Sequence, residues 1–186
     1  MIIYGDRIAL RPMEEKDTAD IIRWRNTDFV RKNFIYQKPF TVESHHHWVE
    51  TMVKTGKVVQ FMICPYEEKN AAFGDERIPD WIGRAVGSVY LRDIDYTHRK
   101  AEYGIFIGEE RALSKGYGTE AARMMLEYAF ENLKLHKVML RVLAGNVRAQ
   151  KSYEHAGFQK EAYLKDEVFL NGEFQDVILM ACISDR

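Results

Sequence analysis

Residues 114–122 read Ser-Lys-Gly-Tyr-Gly-Thr-Glu-Ala-Ala and lie between two segments of different periodicity. Upstream, residues 101–107 (Ala-Glu-Tyr-Gly-Ile-Phe-Ile) are short, β-branched and aromatic, as strands are. Downstream, Ala122, Met125, Leu126, Ala129, Phe130 and Leu133 follow the i, i+3, i+4, i+7 spacing of a helix with one buried face. A strand, a glycine turn and a helix start therefore succeed one another directly, with the helix spanning about residues 116–134. Gly116 and Gly118 admit backbone angles closed to other residues and leave no side chain between main chain and ligand. The first N–H groups of the helix lack intrahelical partners and sit at the positive end of its dipole. Such a turn can seat a phosphate or diphosphate. Its glycines would equally serve a plain tight turn, so the decision rests on the rest of the chain.

A chain of 186 residues fits one domain, residues 1–186, with a core large enough to need no staple. Residues 7–13 alternate charged and apolar side chains as a half-buried strand does, and Pro12 suggests a sheet edge. Asp17 or Thr18 can cap a helix carrying Ile21, Ile22 and Trp24. Another helix, over 42–54, carries His45, His46 and His47. Adjacent helical residues point about 100° apart, so three in a row do not converge on one metal; a partly exposed polar face is expected. Residues 58–64 and 81–93 read as strands, and 66–80 as a loop or hairpin insertion holding Gly74 and Pro79. Residues 137–143 form a further strand, and 146–157 a helix capped by Asn146 and stopped by Gly157. Residues 158–169 and 174–183 pair around Asn171-Gly172, a strong hairpin signal. The order predicts an α/β (α+β) domain with a mixed sheet flanked by helices, not a run of regular βαβ units.

Charge excludes some partners. Lys plus Arg number 27 against 28 Asp plus Glu, a net charge of -1, which gives no electrostatic case for nucleic acid or a membrane surface. The first residues lack the basic and apolar regions of a signal peptide, and no apolar run approaches the ~18 residues that span a bilayer. Cys64 and Cys182 lie in apolar, strand-like stretches and read as buried free thiols of a reducing, cytoplasmic compartment.

The loop at 114–122, followed by Asn146-x-x-Ala149-x-x-x-Tyr153-x-x-x-Gly157-Phe158, resembles the two acetyl-coenzyme-A motifs of the GNAT N-acetyltransferases. Residues 99–107 and the late Asn171-Gly172-x-Phe174-x-Asp176-x-Ile178 resemble the branch holding ribosomal-protein-alanine, spermidine and some amino-sugar N-acetyltransferases. One position departs: the family's diphosphate loop usually opens on Gln or Arg, and here Leu113 stands there. Backbone donors do most of the anion work in such a loop, so weaker rather than abolished coenzyme binding is expected.

The resemblance implies a seven-stranded, mostly antiparallel sheet, splayed between the strands at 101–107 and 137–143. It implies that the backbone of Ile105, Phe106 and Ile107 pairs with the pantetheine arm. Amides of Ser114, Lys115, Gly116, Tyr117, Gly118 and Thr119 would hold the diphosphate, and Asn146 would bond near the reacting end while also capping its helix. Tyr153 would protonate the departing thiolate: a phenol with pKa about 10 is protonated at neutral pH, and a thiol of about 8.5 is a workable leaving group. Glu102 is the candidate base for the attacking ammonium, with Tyr103 on the opposite sheet face the weaker one; Glu102 could equally be a surface carboxylate paired with Arg99 or Lys100. An ordinary glutamate, about 4.3, is a poor base for an alkylamine of about 10.4, so burial or a water relay would be required. Trp24, Arg25 and Asn26 are candidate substrate contacts, in a segment that could also be a solvated corner.

The expected reaction is direct acetyl transfer from acetyl-CoA to a primary amine of a small molecule (amino sugar or polyamine) or a peptide N-terminus, without a metal. No nucleic acid or membrane partner is expected, and the assembly would be a monomer or homodimer. A non-catalytic acyl-CoA sensor on the same scaffold is the alternative. Residues 116–121 also fit the G-x-G-x-x-A dinucleotide fingerprint, but no acid follows about 20 residues on, in Lys137-Val-Met-Leu-Arg141.

Overall fold

Short β-branched and aromatic runs, each too short to bury both faces alone, assemble into one sheet in the computed structural model, which describes residues 1–66 and 83–185. In chain order the elements are β1 (Ile3–Tyr4), β2 (Ile8–Pro12), α1 (Thr18–Arg25), α2 (Asp28–Arg31), α3 (Val42–Trp48), β3 (Val59–Pro65), β4 (Gly87–Asp95) and β5 (Lys100–Ile107). Then come α4 (Tyr117–Glu127), β6 (Lys137–Leu143), α5 (Val147–Ala156), β7 (Gln159–Leu170) and β8 (Glu173–Ile183). Of the predicted insertion at 66–80, all but Tyr66 lies outside the described residues.

The sheet has eight strands in the order β1-β2-β3-β4-β5-β6-β8-β7. The expected count was seven; the addition is β1, whose two residues are too few to show a period. It pairs Ile3 with Leu10 and Tyr4 with Ala9, so β2 is internal rather than an edge. Pro12 lies beyond the reach of β1 and opposes only Phe61 of β3, where its missing N–H costs no ladder bond on the β1 side. All pairings are antiparallel except β5 with β6, which runs only from Lys100↔Lys137 to Glu102↔Met139. Beyond Glu102 the two strands separate, which is the expected splay. The doubly wound parallel sheet needed by a dinucleotide fold is therefore not formed by the described strands.

Each face of the sheet carries its own core. Beneath α4 and α5, Val89, Leu91, Ala101, Tyr103, Val138, Leu140 and Met180 pack with Ala122, Met125 and Phe158. On the other face a smaller core joins Ile21, Trp24, Val30, Met62 and Phe106. Asp17 does not cap α1 with its side chain. It is buried in an ion pair with Arg11, 2.6 Å from Nη2, and it also accepts from the Glu14 N–H. Thr41 does cap α3, through a capping box with Ser44. His45, expected on a polar face, is 1% exposed, whereas His46 and His47 are exposed. The β7–β8 hairpin turns on Asn171 and Gly172, both at positive φ, as a two-residue turn requires. Among the described residues no helix is long and apolar enough to cross a membrane.

Candidate active site

The splay between β5 and β6 opens a cavity of about 1070 Å³ that reaches both faces of the sheet. On the α4–α5 face its lining includes Tyr103, Ile105, Leu113, Ser114, Gly116, Tyr117, Gly118 and Thr119, together with Asn146 and Tyr153. From the α1–α3 face it takes Arg25, Tyr90, Arg92, Glu102, Gly104 and Phe106, with Arg141 from β6. Ile107 also lines it.

The loop before α4 has the geometry an anion needs. Ser114 and Gly116 both take left-handed φ, 59° and 81°, so the chain folds back before the helix starts. No side chain caps the α4 N-terminus, and the residues that open it, Gly116 to Thr119, line the cavity. Lys115 faces away from the cavity, but its carbonyl accepts from Arg7 Nη1 at 2.8 Å. The Arg7 Nε also donates to Glu120 Oε2 at 3.0 Å, and Glu120 Oε1 accepts from the backbone N–H groups of Arg7 and Ile8. A Cβ on Gly116 would lie 2.7 Å from Arg7 Nη2, so a guanidinium adjoins the loop. Arg7 carried no local signal: it comes from the turn between β1 and β2, more than 100 residues upstream. Thr119 Oγ1 and Ser152 Oγ, 2.8 Å apart, tie α4 to α5.

Asn146 begins α5 and accepts the Ala149 N–H at 3.2 Å, so the capping role is present while the residue also lines the cavity. About two turns further, Tyr153 lines the cavity and is held by two edge-to-face ring contacts, Tyr103 and Phe158, each at 6.0 Å. Burial, with the Tyr90 hydroxyl nearby, pushes the Tyr153 phenol well above its ordinary value. The buried Tyr103 hydroxyl, also pushed up by burial, has no hydrogen-bond partner among the described residues and lines the same cavity. An orphaned polar atom on the wall beside Tyr153 fits a space shaped for a polar ligand.

Glu102 occupies the last paired position before the strands part. It does not pair with Arg99 or Lys100; instead its Oε1 accepts from Arg92 Nη2 at 2.7 Å and from Arg141 Nε at 3.2 Å. Strand register dictates this, because Arg92 sits directly opposite Glu102 on β4. Tyr90, two residues back, lies across Gly104, where any Cβ would strike its ring. Tyr90 also meets Trp48 edge-on at 6.5 Å.

The substrate-contact candidates separate. Arg25 lines the cavity; Trp24 and Asn26 do not. Trp24 is 0% exposed, packs against Gly108, and donates from Nε1 to Glu109 at 2.8 Å, fixing the end of β5. Asn26 clamps Phe40 through two 2.8 Å bonds to its main chain. The three separate because successive residues at the end of α1 point to different sides, and of the three Arg25 alone reaches the cavity wall. Neither cysteine lies on the cavity wall. Burial pushes the Cys64 thiol up to about 11. Among the described residues no cluster of His, Cys, Asp and Glu could hold a metal ion.

A family model described as an acetyltransferase (GNAT) domain matches residues 7–159. The spermidine N(1)-acetyltransferase of Vibrio cholerae is 39% identical over 54% of this chain and 58% of its own length. YdaF of Bacillus subtilis, provisionally named a ribosomal N-acetyltransferase, is 34% identical over 94% of this chain and 90% of its own. Among solved structures, spermidine N-acetyltransferase from Vibrio cholerae in complex with CoA and spermine superimposes with a TM-score of 0.80 at 26% identity, covering 96% of both chains.

Proposed function

The chain belongs to the GNAT acetyltransferase family, and on that premise we propose that it transfers an acetyl group from acetyl-CoA directly to a primary amine. The observation that carries the mechanism is the single cavity joining the α4 loop, Tyr153 and Glu102 through the β5–β6 opening. The residues fit the coenzyme: a glycine-relaxed bend with unpaired N–H groups, and the separated edge of β5 at Ile105, Phe106 and Ile107. Amides of residues 114–119 would hold the diphosphate, with Arg7 adding positive charge beside Gly116. Residues 105–107 pair with β4 on one side, and their open side, where β6 has parted, would bond the pantetheine amides as a neighbouring strand would.

Acetyl-CoA supplies the activated acyl thioester; the rest is done by the protein. Tyr153, kept protonated by burial, donates its proton to the departing sulfur. Glu102 receives the amine's proton, directly or through a water, from the point where the two halves of the cavity meet. Its carboxylate is already oriented by Arg92 and Arg141, so its position is set before substrate arrives. The Asn146 side-chain amide completes the wall beside Tyr153. We take residues 1–186 as one such domain, acting as a monomer or homodimer. The acceptor classes to be tried are an amino sugar, a polyamine and a peptide N-terminus, the last two being those that the names of the spermidine and ribosomal relatives suggest. Incubation with acetyl-CoA and an amine panel, with free thiol followed, tests the proposal. Tight coenzyme binding without amine-dependent thiol release would identify a sensor instead.

A further inference from the structure

Among the described residues, the half of the cavity on the α1–α3 face is short of negative charge. Among the described residues its only lining acid is Glu102, against the guanidiniums of Arg25, Arg92 and Arg141. Glu102 is shared between two of them, Arg92 and Arg141, at 2.7 and 3.2 Å. Arg25 is left over. Its guanidinium lies 3.5 Å from the ring centroid of Phe34, 5.0 Å from Phe40 and 5.7 Å from Phe106. Stacking engages the face of a guanidinium and leaves its N–H edge free. Here Nη1 is buried and has no hydrogen-bond partner among the described residues. His45 lines the same half, and both of its ring nitrogens are likewise buried and unpartnered. The unpaired Arg25 donor, held against an apolar floor, is costly unless a ligand brings an acceptor oxygen, and neutral His45 offers one donor and one acceptor beside it.

Resting on the acetyl-transfer reading, we propose that the acceptor is a primary amine that also carries an anionic oxygen group, a carboxylate or a phosphate, which Arg25 binds. The amine end then lies toward Glu102 and the anionic end toward the Phe34–Phe40–Phe106 floor. The fork of Arg25 matches two oxygens of either group. A polyamine fits this half poorly: its amines are cationic at neutral pH, and it would face three guanidiniums with one shared carboxylate between them. Arg25 is thus a specificity-determining residue, distinct from the groups that move protons.

The test is thiol release from acetyl-CoA with matched amine pairs that differ only in the anion: glucosamine 6-phosphate against glucosamine, and a free amino acid against its amide. Spermidine forms a third arm. The wild-type protein should favour the anionic member of at least one pair by tenfold or more in kcat/KM; which pair responds separates phosphate from carboxylate. In Arg25→Met that ratio should fall toward one, chiefly through KM, and Arg25→Lys should restore part of it. Coenzyme affinity measured by calorimetry on the same variants reports whether they are folded. Preference for spermidine over every anionic amine, or a ratio that Arg25→Met leaves unchanged, would overturn this inference while leaving acetyl transfer standing. Coenzyme binding without thiol release for any amine would sink the transfer reading, and this one with it.

Discussion

Replacing Tyr153 by Phe removes one oxygen from the wall of the cavity. The ring keeps its edge contacts with Tyr103 and Phe158, both at 6.0 Å, so the loss of stability should stay within ~1 kcal/mol. Coenzyme affinity should shift by no more than about twofold, because backbone donors on α4 and β5 carry most of the binding. Turnover should fall. A positioned general acid contributes roughly 10² to 10⁴, and efficiency drops as its pKa moves away from the working pH. Burial has moved this phenol upward, away from neutrality, which points to the low end: about 10²-fold, or about 2.7 kcal/mol of barrier. The sign of the pH effect follows from the same shift. A raised phenol stays protonated up to and beyond its ordinary value of about 10, so the acid form is present throughout pH 6–9. Rate should therefore climb as the amine sheds its proton, with no descending limb from Tyr153 in that window. Steady-state thiol release across pH 6–9.5, paired with calorimetry for coenzyme affinity, measures both parts. Undiminished kcat in the Phe variant would remove Tyr153 from the mechanism. A descending limb below pH 9 that disappears in the variant would show that the phenol is not held up by burial.

Three further outcomes are expected. Arg7→Met should weaken coenzyme binding about tenfold by calorimetry, yet lower the melting temperature little, since the Arg7 side chain is 54% exposed and Glu120 keeps two backbone donors. Asp17→Ala leaves the Arg11 guanidinium buried without its ion-pair partner, keeping only a 3.3 Å bond to the Pro12 carbonyl. Removing one partner of such a pair costs about 3–5 kcal/mol, which urea denaturation would register; a loss under 1 kcal/mol would mean that water reaches Arg11. Cys64, 0% exposed with its thiol pushed up to about 11, should resist iodoacetamide at pH 8 in the native state, while half-buried Cys182 reacts faster. An acetylated Cys64 trapped during turnover would contradict direct transfer.

What the sequence made legible was local. The bend before α4 follows from the left-handed Gly116 and the helix after it from one apolar stripe, with Gly118 already inside α4; the Asn171-Gly172 turn follows from two residue types that tolerate positive φ. Asn146 at the start of α5 and Gly157 at its end follow from capping chemistry. What stayed hidden depends on which strands lie side by side. For Glu102, the candidate base, the chain offers Arg99 or Lys100 as alternative ion-pair partners, whereas register puts Arg92 opposite it and Arg141 across the split. Trp24 and Arg25 are adjacent in the chain, yet one is sealed under Gly108 and the other faces the cavity; only the helix's rotation against the sheet separates them. His45 is buried while the two histidines that follow it, His46 and His47, are exposed, for a similar reason. The eighth strand is two residues long, shorter than any periodicity can register.

Leu113 and Arg7 belong to one argument. Leu113 lines the cavity with an apolar side chain at the position where the family usually offers a polar or cationic one. Arg7 brings a guanidinium to the same loop from the opposite end of the chain and bonds the Lys115 carbonyl, the residue just before the left-handed Gly116. Glu120 closes the circuit: its carboxylate holds Arg7 and the start of β2, and its N–H bonds the Gly116 carbonyl at 3.1 Å. The loop's shape is therefore coupled to the β1–β2 corner, not fixed by the glycines alone. Any ligand that binds only the folded loop stabilises everything the loop requires, in proportion to the logarithm of its concentration over its dissociation constant. Coenzyme A should accordingly slow amide exchange at residues 5–8 as well as at 114–120, and Arg7→Met should abolish the first effect while sparing much of the second. Protection confined to 114–120 in the unmodified protein would mean that the corner is a bystander and that Leu113 goes uncompensated.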